Sequence, residues 1–191
     1  MAEPIVVLLR GINVGGRNKV PMAELRAALG EAGFASVRTY IQSGNVIAVH
    51  ASGDAEAAAA VVRSVIASAF GFEVQAIGVS RTELRSIVDA NPYPEVTDFK
   101  KLHGIVLPVE PDVVTRQAVE RLQEASNAKG GRDAVTFVGR VAYLHTPDGF
   151  GTSDLAKRLA AGRGPLSSGT ARNWATMSTL LGMADTPVTD P

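Results

Sequence analysis

Two hairpin patterns of similar sequence constrain the fold of this chain most. TYIQSGNVIAVH at residues 39–50 and TFVGRVAYLH at residues 136–145 each alternate β-branched or aromatic residues on both sides of a short polar turn. Helical and strand-like patterns surround the first hairpin, so that residues 1–79 follow the order β-α-β-β-α-β. This is the order of a ferredoxin-like unit, an antiparallel four-stranded sheet with two helices on one face.

The second half repeats the order β-α-β-β-α around the second hairpin. A final helix, predicted over residues 169–184, stands where the repeat would place its fourth strand. Internal duplication explains this similarity, and so does the general resemblance of any two hairpins. The predicted fold is therefore α+β, with ferredoxin-like subdomains at 1–79 and 80–191 and antiparallel sheets, the second subdomain carrying an extra C-terminal helix and a flexible tail.

The composition favours a cytoplasmic protein. The chain of 191 residues has no cysteine, which excludes disulfides and thiolate chemistry. No apolar run approaches the length of a membrane span, and the N-terminus lacks the basic start and cleavage pattern of a signal peptide. We therefore expect no membrane association.

The charge is balanced overall and uneven along the chain. The 19 basic and 19 acidic residues cancel, whereas a general nucleic-acid binder is usually basic. Residues 1–49 carry five Lys or Arg against three acids, and residues 150–182 carry four against one. If folding joins these two segments, they form a local positive site, which suits a compact anion better than a long duplex.

The loop GINVGGRNK after the first strand comes close to a nucleotide-hydrolysing P-loop. Gly11 and Gly16 have the required spacing, but Arg17 stands at the lysine position and Asn18 at the hydroxyl position. The β-α-β-β-α-β order also differs from the parallel sheet of such proteins. Two interpretations remain: a glycine-rich cradle that binds an anion without hydrolysing it, and an elaborate turn whose cations are solvated.

Several long motifs resemble a bacterial family catalogued as domain of unknown function 1697. The similarity rests on LLRGINVGGRNKVPMAELRAAL, VRTYIQSGNVI, NPYP, KLHGIVL, VAYLHTPDGFG and TARNWATMSTLLGM, and covers residues 4–184. The resemblance implies two ferredoxin-like subdomains in a bacterial cytosolic protein without an established activity. Thr152-Ser153-Asp154 and Ala175 depart from the Ser-Lys and Asn that we associate with the family at these positions.

Polar residues in three of these motifs form the predicted ligand site, because amides read base edges and Arg binds phosphate. The residues are Arg10, Asn13, Gly15, Gly16, Arg17, Asn18, Lys19, Gln42, Ser43, Asn45, Arg172, Asn173 and Trp174. Each motif also has a purely structural interpretation. QSGN suits a turn, Thr170 suits a helix cap, and a single Trp at a helix start is more often part of the core.

The predicted function is binding of a nucleic acid or a nucleotide-like or phosphate-like anion, in a groove formed by the 10–19 loop, the 42–45 hairpin and the 172–174 helix start. The alternatives are an enzyme acting on a small phosphorylated or amide-bearing metabolite, and a structural or oligomerisation module. His50, His103 and His145 form no metal-ligand pattern, so we expect no metal and no cofactor. Oligomeric state is left open by the sequence.

Overall fold

The computed structural model describes residues 3–186. The elements of the first half are β1 (Ile5–Arg10), α1 (Met22–Glu31), β2 (Ala35–Tyr40), β3 (Asn45–Val49), α2 (Ala55–Phe70) and β4 (Gln75–Ser80). Their strands form one sheet in the order β2-β3-β1-β4, and all neighbouring strands are antiparallel. This strand order and antiparallel pairing are those of the predicted ferredoxin-like unit.

Helices α1 and α2 cover one face of this sheet. Leu25 of α1 and Ile66 of α2 belong to one buried cluster with Val7, Leu9 and Val46 of the strands. Asp54 caps α2 by accepting a hydrogen bond from the Ala57 N–H at 2.6 Å. Gly71 ends α2 in the left-handed conformation.

The elements after β4 are α3 (Arg81–Asp89), β5 (Leu102–Val106), α4 (Val113–Asn127), β6 (Ala134–Val138), β7 (Val141–His145), α5 (Asp154–Ala160), β8 (Thr170–Asn173) and α6 (Trp174–Asp185). Their strands form a second sheet that repeats the topology of the first, with the strand order β6-β7-β5-β8 and antiparallel pairing throughout. Val119 of α4 and Leu155 of α5 share a buried cluster with Ile105 and Leu144 of this sheet. The α+β fold with two ferredoxin-like subdomains is confirmed.

The C-terminal helix begins later than the sequence predicts, because a fourth strand precedes it. Residues 170–173 pair antiparallel with β5 from Val106↔Thr170 to His103↔Asn173, so the predicted helix over 169–184 was wrong at its start. Asn173, not Thr170, caps α6 by accepting from the Thr176 N–H at 2.8 Å. The second unit therefore has the complete β-α-β-β-α-β order.

The chain divides into two compact units. One runs to residue 86 and includes the chain again from residue 179, and the other comprises Ile87–Ser178. Within the first unit, an Arg38 Nη donates to the Met183 carbonyl at 2.8 Å, and Arg85 pairs with Asp185 at 2.7 Å. The predicted tail, DTPVTDP, begins at Asp185, which still belongs to α6, and its residues from 187 onward lie outside the described residues.

Candidate functional site

The loop between β1 and α1 folds back on itself as a miniature hairpin. The Asn13 N–H donates to the Asn18 carbonyl at 3.0 Å, and the Arg17 N–H donates to the Val14 carbonyl at 3.1 Å. Gly15 and Gly16 form the tip with φ angles of 59° and 75°. Two successive positive φ angles characterise a type I′ turn, which glycine adopts without steric cost.

The Asn13 side chain fastens this loop to two neighbouring segments. Its Nδ2 donates to the carbonyls of Val20 and Gln42, both at 3.0 Å, and its Oδ1 accepts from the Val20 N–H at 2.9 Å. Asn18 closes the base of the loop by donating to the Gly11 carbonyl at 3.0 Å. Both predicted amide ligands therefore hydrogen-bond to the protein's own backbone, and they hold the loop in shape.

Arg17 and Lys19 project from the loop into solvent. Both side chains are exposed, and neither forms an ion pair within residues 3–186. Lys19 also lines an open depression of about 400 Å³ with Asn13, Gly16, Val20, Pro21 and Gln42. Arg10, by contrast, is half-buried at the end of β1, opposite Gln75 of β4.

The β2–β3 hairpin places its polar residues differently. Asn45 is fully buried, and its Nδ2 donates to the Tyr40 carbonyl and to Ser43 Oγ at 3.0 and 3.1 Å. Gln42 is exposed and contributes to the depression beside Lys19. Ile41 is 51% exposed with a φ of 49°, a conformation that β-branched residues rarely adopt. Backbone outliers of this kind occur often at functional sites.

The predicted residues of the second unit have structural roles within it. Arg172 is buried and donates through Nη1 to Thr170 Oγ1 and the Ala171 carbonyl, both at 2.8 Å. Burial lowers the pKa of Arg172 to about 10 because desolvation disfavours the charged form. Trp174 is 4% exposed and packs against Tyr143 with ring centroids 5.7 Å apart.

The thirteen predicted residues are thus divided between the two units. The structure brings the 10–19 loop and the 42–45 hairpin together through Asn13 and Gln42 in the first unit. Arg172, Asn173 and Trp174 belong to the second unit, and their participation in a shared groove stays a prediction.

The second unit contains a polar cavity that the sequence analysis did not predict. It has a volume of about 470 Å³, and its lining includes Lys129, Asp133 and Ser153. Asp133 is buried and accepts a hydrogen bond from Ser153 Oγ at 2.7 Å. The only sequence signal is that two loops rich in glycine and charge, GGRD at 130–133 and DGFGTSD at 148–154, surround an antiparallel hairpin.

The described part of the chain contains neither a metal-binding cluster nor a membrane-spanning helix. No group of three or more His, Asp or Glu side chains is arranged to hold a metal ion between residues 3 and 186. Over the same residues, every helix is too short or too polar to cross a lipid bilayer.

The sequence matches a known protein family. Residues 2–143 match the family described as "protein of unknown function (DUF1697)", and the chain belongs to this family. It is also similar to the solved structure of a conserved bacterial protein from Streptococcus pneumoniae, with a TM-score of 0.70 and 22% sequence identity. That similarity covers 95% of this chain and 98% of the other, and it establishes the fold alone. Comparison with curated proteins gives no match.

Proposed function

We propose that this protein binds a phosphate-bearing ligand, a nucleotide or a nucleic acid, at the β1–α1 loop. The observation that carries the proposal is the pair of exposed cations Arg17 and Lys19, which have no acidic partner within residues 3–186. Because solvated cations are common on protein surfaces, the proposal rests also on the rigidity of the loop. Because Asn13 and Asn18 fix its backbone, little ordering entropy is lost when a ligand binds.

The depression beside Lys19 favours a compact ligand over an extended strand. Gln42 adds an amide there, and Val20 and Pro21 add apolar surface against which part of a nucleotide can rest. Proteins that bind long single strands usually present exposed aromatic platforms, whereas Trp174 is buried. The zero net charge also argues against general binding of duplexes.

The first experiment is a binding titration with nucleoside mono-, di- and triphosphates and with fluorescent single-stranded and duplex oligonucleotides. Arg17→Ala with Lys19→Ala should weaken binding at least about tenfold, since each substitution removes a charge-assisted hydrogen bond. For an oligonucleotide, the logarithmic salt dependence should also flatten by about 0.7–0.9 for each phosphate that the variant no longer neutralises.

The matched control is Arg121→Ala with Lys157→Ala. This pair removes the same charge from exposed positions on α4 and α5 of the other unit. It should bind like the parent protein. Equal losses of affinity in the two double variants, or no loss in the loop variant, would reject the proposed site.

The contribution of residues 172–174 to this ligand needs a separate measurement. In an NMR titration with the tightest ligand, amide shifts at both 15–19 and 172–174 are expected if the two segments bind it together. Shifts confined to the first unit would restrict the site to the loop and hairpin.

The same titrations separate the alternatives. Turnover of a bound nucleotide would identify an enzyme, and concentration-dependent association without any ligand would identify an oligomerisation module. A cytoplasmic location is also part of the proposal, supported by the absence of cysteine.

A further inference from the structure

The polar cavity of the second unit has the dimensions of a small-molecule site. Its volume of about 470 Å³ lies within the range of ligand pockets. The cavity lies where the end of α4 and the loop after it meet the loop that leads into α5. The lining includes six charged side chains, those of Lys129, Arg132, Asp133, Asp148, Asp154 and Arg158.

Four of the six charged side chains in this lining neutralise one another. Arg132 pairs with Asp148, and the hydrogen bond lowers the pKa of the Asp148 carboxyl. Arg158 pairs with Asp154 at 2.7 Å, one turn apart on α5. Lys129 and Asp133 are the two charged groups of this lining without an ion pair among the described residues.

Asp133 is 7% exposed, and its carboxylate forms no ion pair among the described residues. Within residues 3–186 its carboxylate accepts one hydrogen bond, from Ser153 Oγ at 2.7 Å. That hydroxyl is itself fixed, because it accepts from the Ala156 N–H at 2.8 Å. Buried carboxylates are normally balanced by a cation or by several donors, so a single neutral hydroxyl leaves Asp133 suited to a cationic group from a ligand.

Whereas Asp133 is negatively charged and buried, Lys129 is positively charged and exposed. Its side chain is exposed at the cavity and can turn toward a bound molecule, because the ammonium group sits on a flexible stem. The cavity thus offers a fixed negative charge in its wall and an adjustable positive charge at its rim.

We propose that this cavity binds a small zwitterion of the amino-acid type, with the ligand's ammonium group on Asp133 and its carboxylate on Lys129. This site shares no residue with the β1–α1 loop, since all of its lining residues belong to the second unit. The burial of Asp133 sets the preference, because only a ligand with a cationic group gives this carboxylate an ion-pair partner.

The test uses the twenty common L-amino acids as probes, individually, with the full chain in thermal-shift and calorimetric titrations. At least one amino acid should raise the melting temperature. The corresponding amine without the carboxylate, and the acid without the ammonium group, should each bind at least about tenfold more weakly. No binding by any amino acid would overturn the proposal, and so would equal binding of the matched amine or acid.

Two variants then test the assigned roles. Asp133→Asn retains the shape and an oxygen that can accept from Ser153, and it should weaken binding at least about tenfold. Lys129→Ala changes an exposed side chain and should weaken binding by a similar factor. Lys157→Ala is the control for lost charge and should bind normally. Unchanged binding in Lys129→Ala would overturn the proposal even if Asp133→Asn fails to fold. Arg17→Ala with Lys19→Ala should retain amino-acid binding, which separates this result from the test of the loop.

Discussion

At the scale of single residues, Asn13 connects the β1–α1 loop to the rest of its unit. Asn13→Ala removes three side-chain hydrogen bonds, to Val20 and Gln42, and should lower the free energy of unfolding by about 2–3 kcal/mol. Asn18→Ala is the matched control, because Asn18 has almost the same φ but donates one hydrogen bond. Its substitution should cost about 1 kcal/mol. Urea unfolding measures both values, and equal losses would contradict the assigned role of Asn13.

His103 should make the stability of the protein sensitive to mild acid. It is 9% exposed and stacks on Phe150, with the two ring centroids 3.9 Å apart. Burial lowers the pKa of His103 from 6.5 to about 4. The unfolded chain therefore takes up a proton first as the pH falls. The stability that depends on neutral His103 is complete above pH 6.5, decreases as the pH falls towards 4, and decreases no further below that.

The comparison variant for this prediction is His103→Phe, which keeps a ring against Phe150 but cannot titrate. Between pH 7 and pH 4 the parent should lose about 2–3 kcal/mol more than the variant, measured by urea unfolding at several pH values. Acid-sensitive carboxylates affect both proteins alike, so the difference isolates His103. Parallel pH profiles would show that His103 does not carry this effect.

At the scale of elements, the packing of α2 on β4 requires glycine at position 78. A Cβ added to Gly78 would lie 1.8 Å from the Ala55 carbonyl oxygen, at the first turn of α2. Gly78→Ala must therefore push the helix away from the strand, and we expect a loss of at least about 2 kcal/mol in unfolding free energy.

Gly30→Ala provides the control for Gly78→Ala. Gly30 lies in α1, where an added Cβ meets no heavy atom within 4 Å, so alanine should stabilise the helix by about 0.5–1 kcal/mol. Denaturant unfolding should give changes of opposite sign for the two substitutions. A neutral result at Gly78 would mean that α2 shifts without a measurable free-energy cost.

Element order was largely predictable because most elements carry local signals. Asp54 and Ser153 are helix caps that can be recognised in sequence, and QSGN marks the turn between β2 and β3. Strand β8 was missed because it has only four residues and its partner β5 lies far away in sequence. A strand stabilised mainly by distant pairing has little local signal to recognise.

The candidate site was less predictable than the element order, because it too depends on contacts between residues far apart in sequence. The sequence identified the polar residues of the β1–α1 loop but not their orientation, which depends on tertiary hydrogen bonds. Asn13 bonds across 29 residues to Gln42, whereas Arg17 and Lys19 point to solvent. Asp133 likewise accepts its hydrogen bond from Ser153, which is 20 residues away. Residue type indicates what chemistry is available, and long-range packing determines which groups a ligand can reach.

At the scale of the whole molecule, balanced charge should set the solubility. With 19 residues of each sign, the sequence predicts an isoelectric point near 6.8, so mutual repulsion between molecules should be weakest close to neutral pH. Precipitation by polyethylene glycol should therefore require the least polymer near pH 6.8 and more on either side. A minimum displaced by more than about one pH unit would indicate that ion pairing or bound ions change the effective charge.

The contacts of Arg38 with Met183 and of Arg85 with Asp185 have a consequence for biosynthesis. They join residues 145 and 100 positions apart, so the first unit includes a segment that the ribosome makes almost last. All strands of the first sheet are available once Ser80 has emerged, yet the unit lacks the end of α6 until nearly the whole chain has been synthesised. The nascent first unit therefore stays incompletely packed until the second unit has been translated.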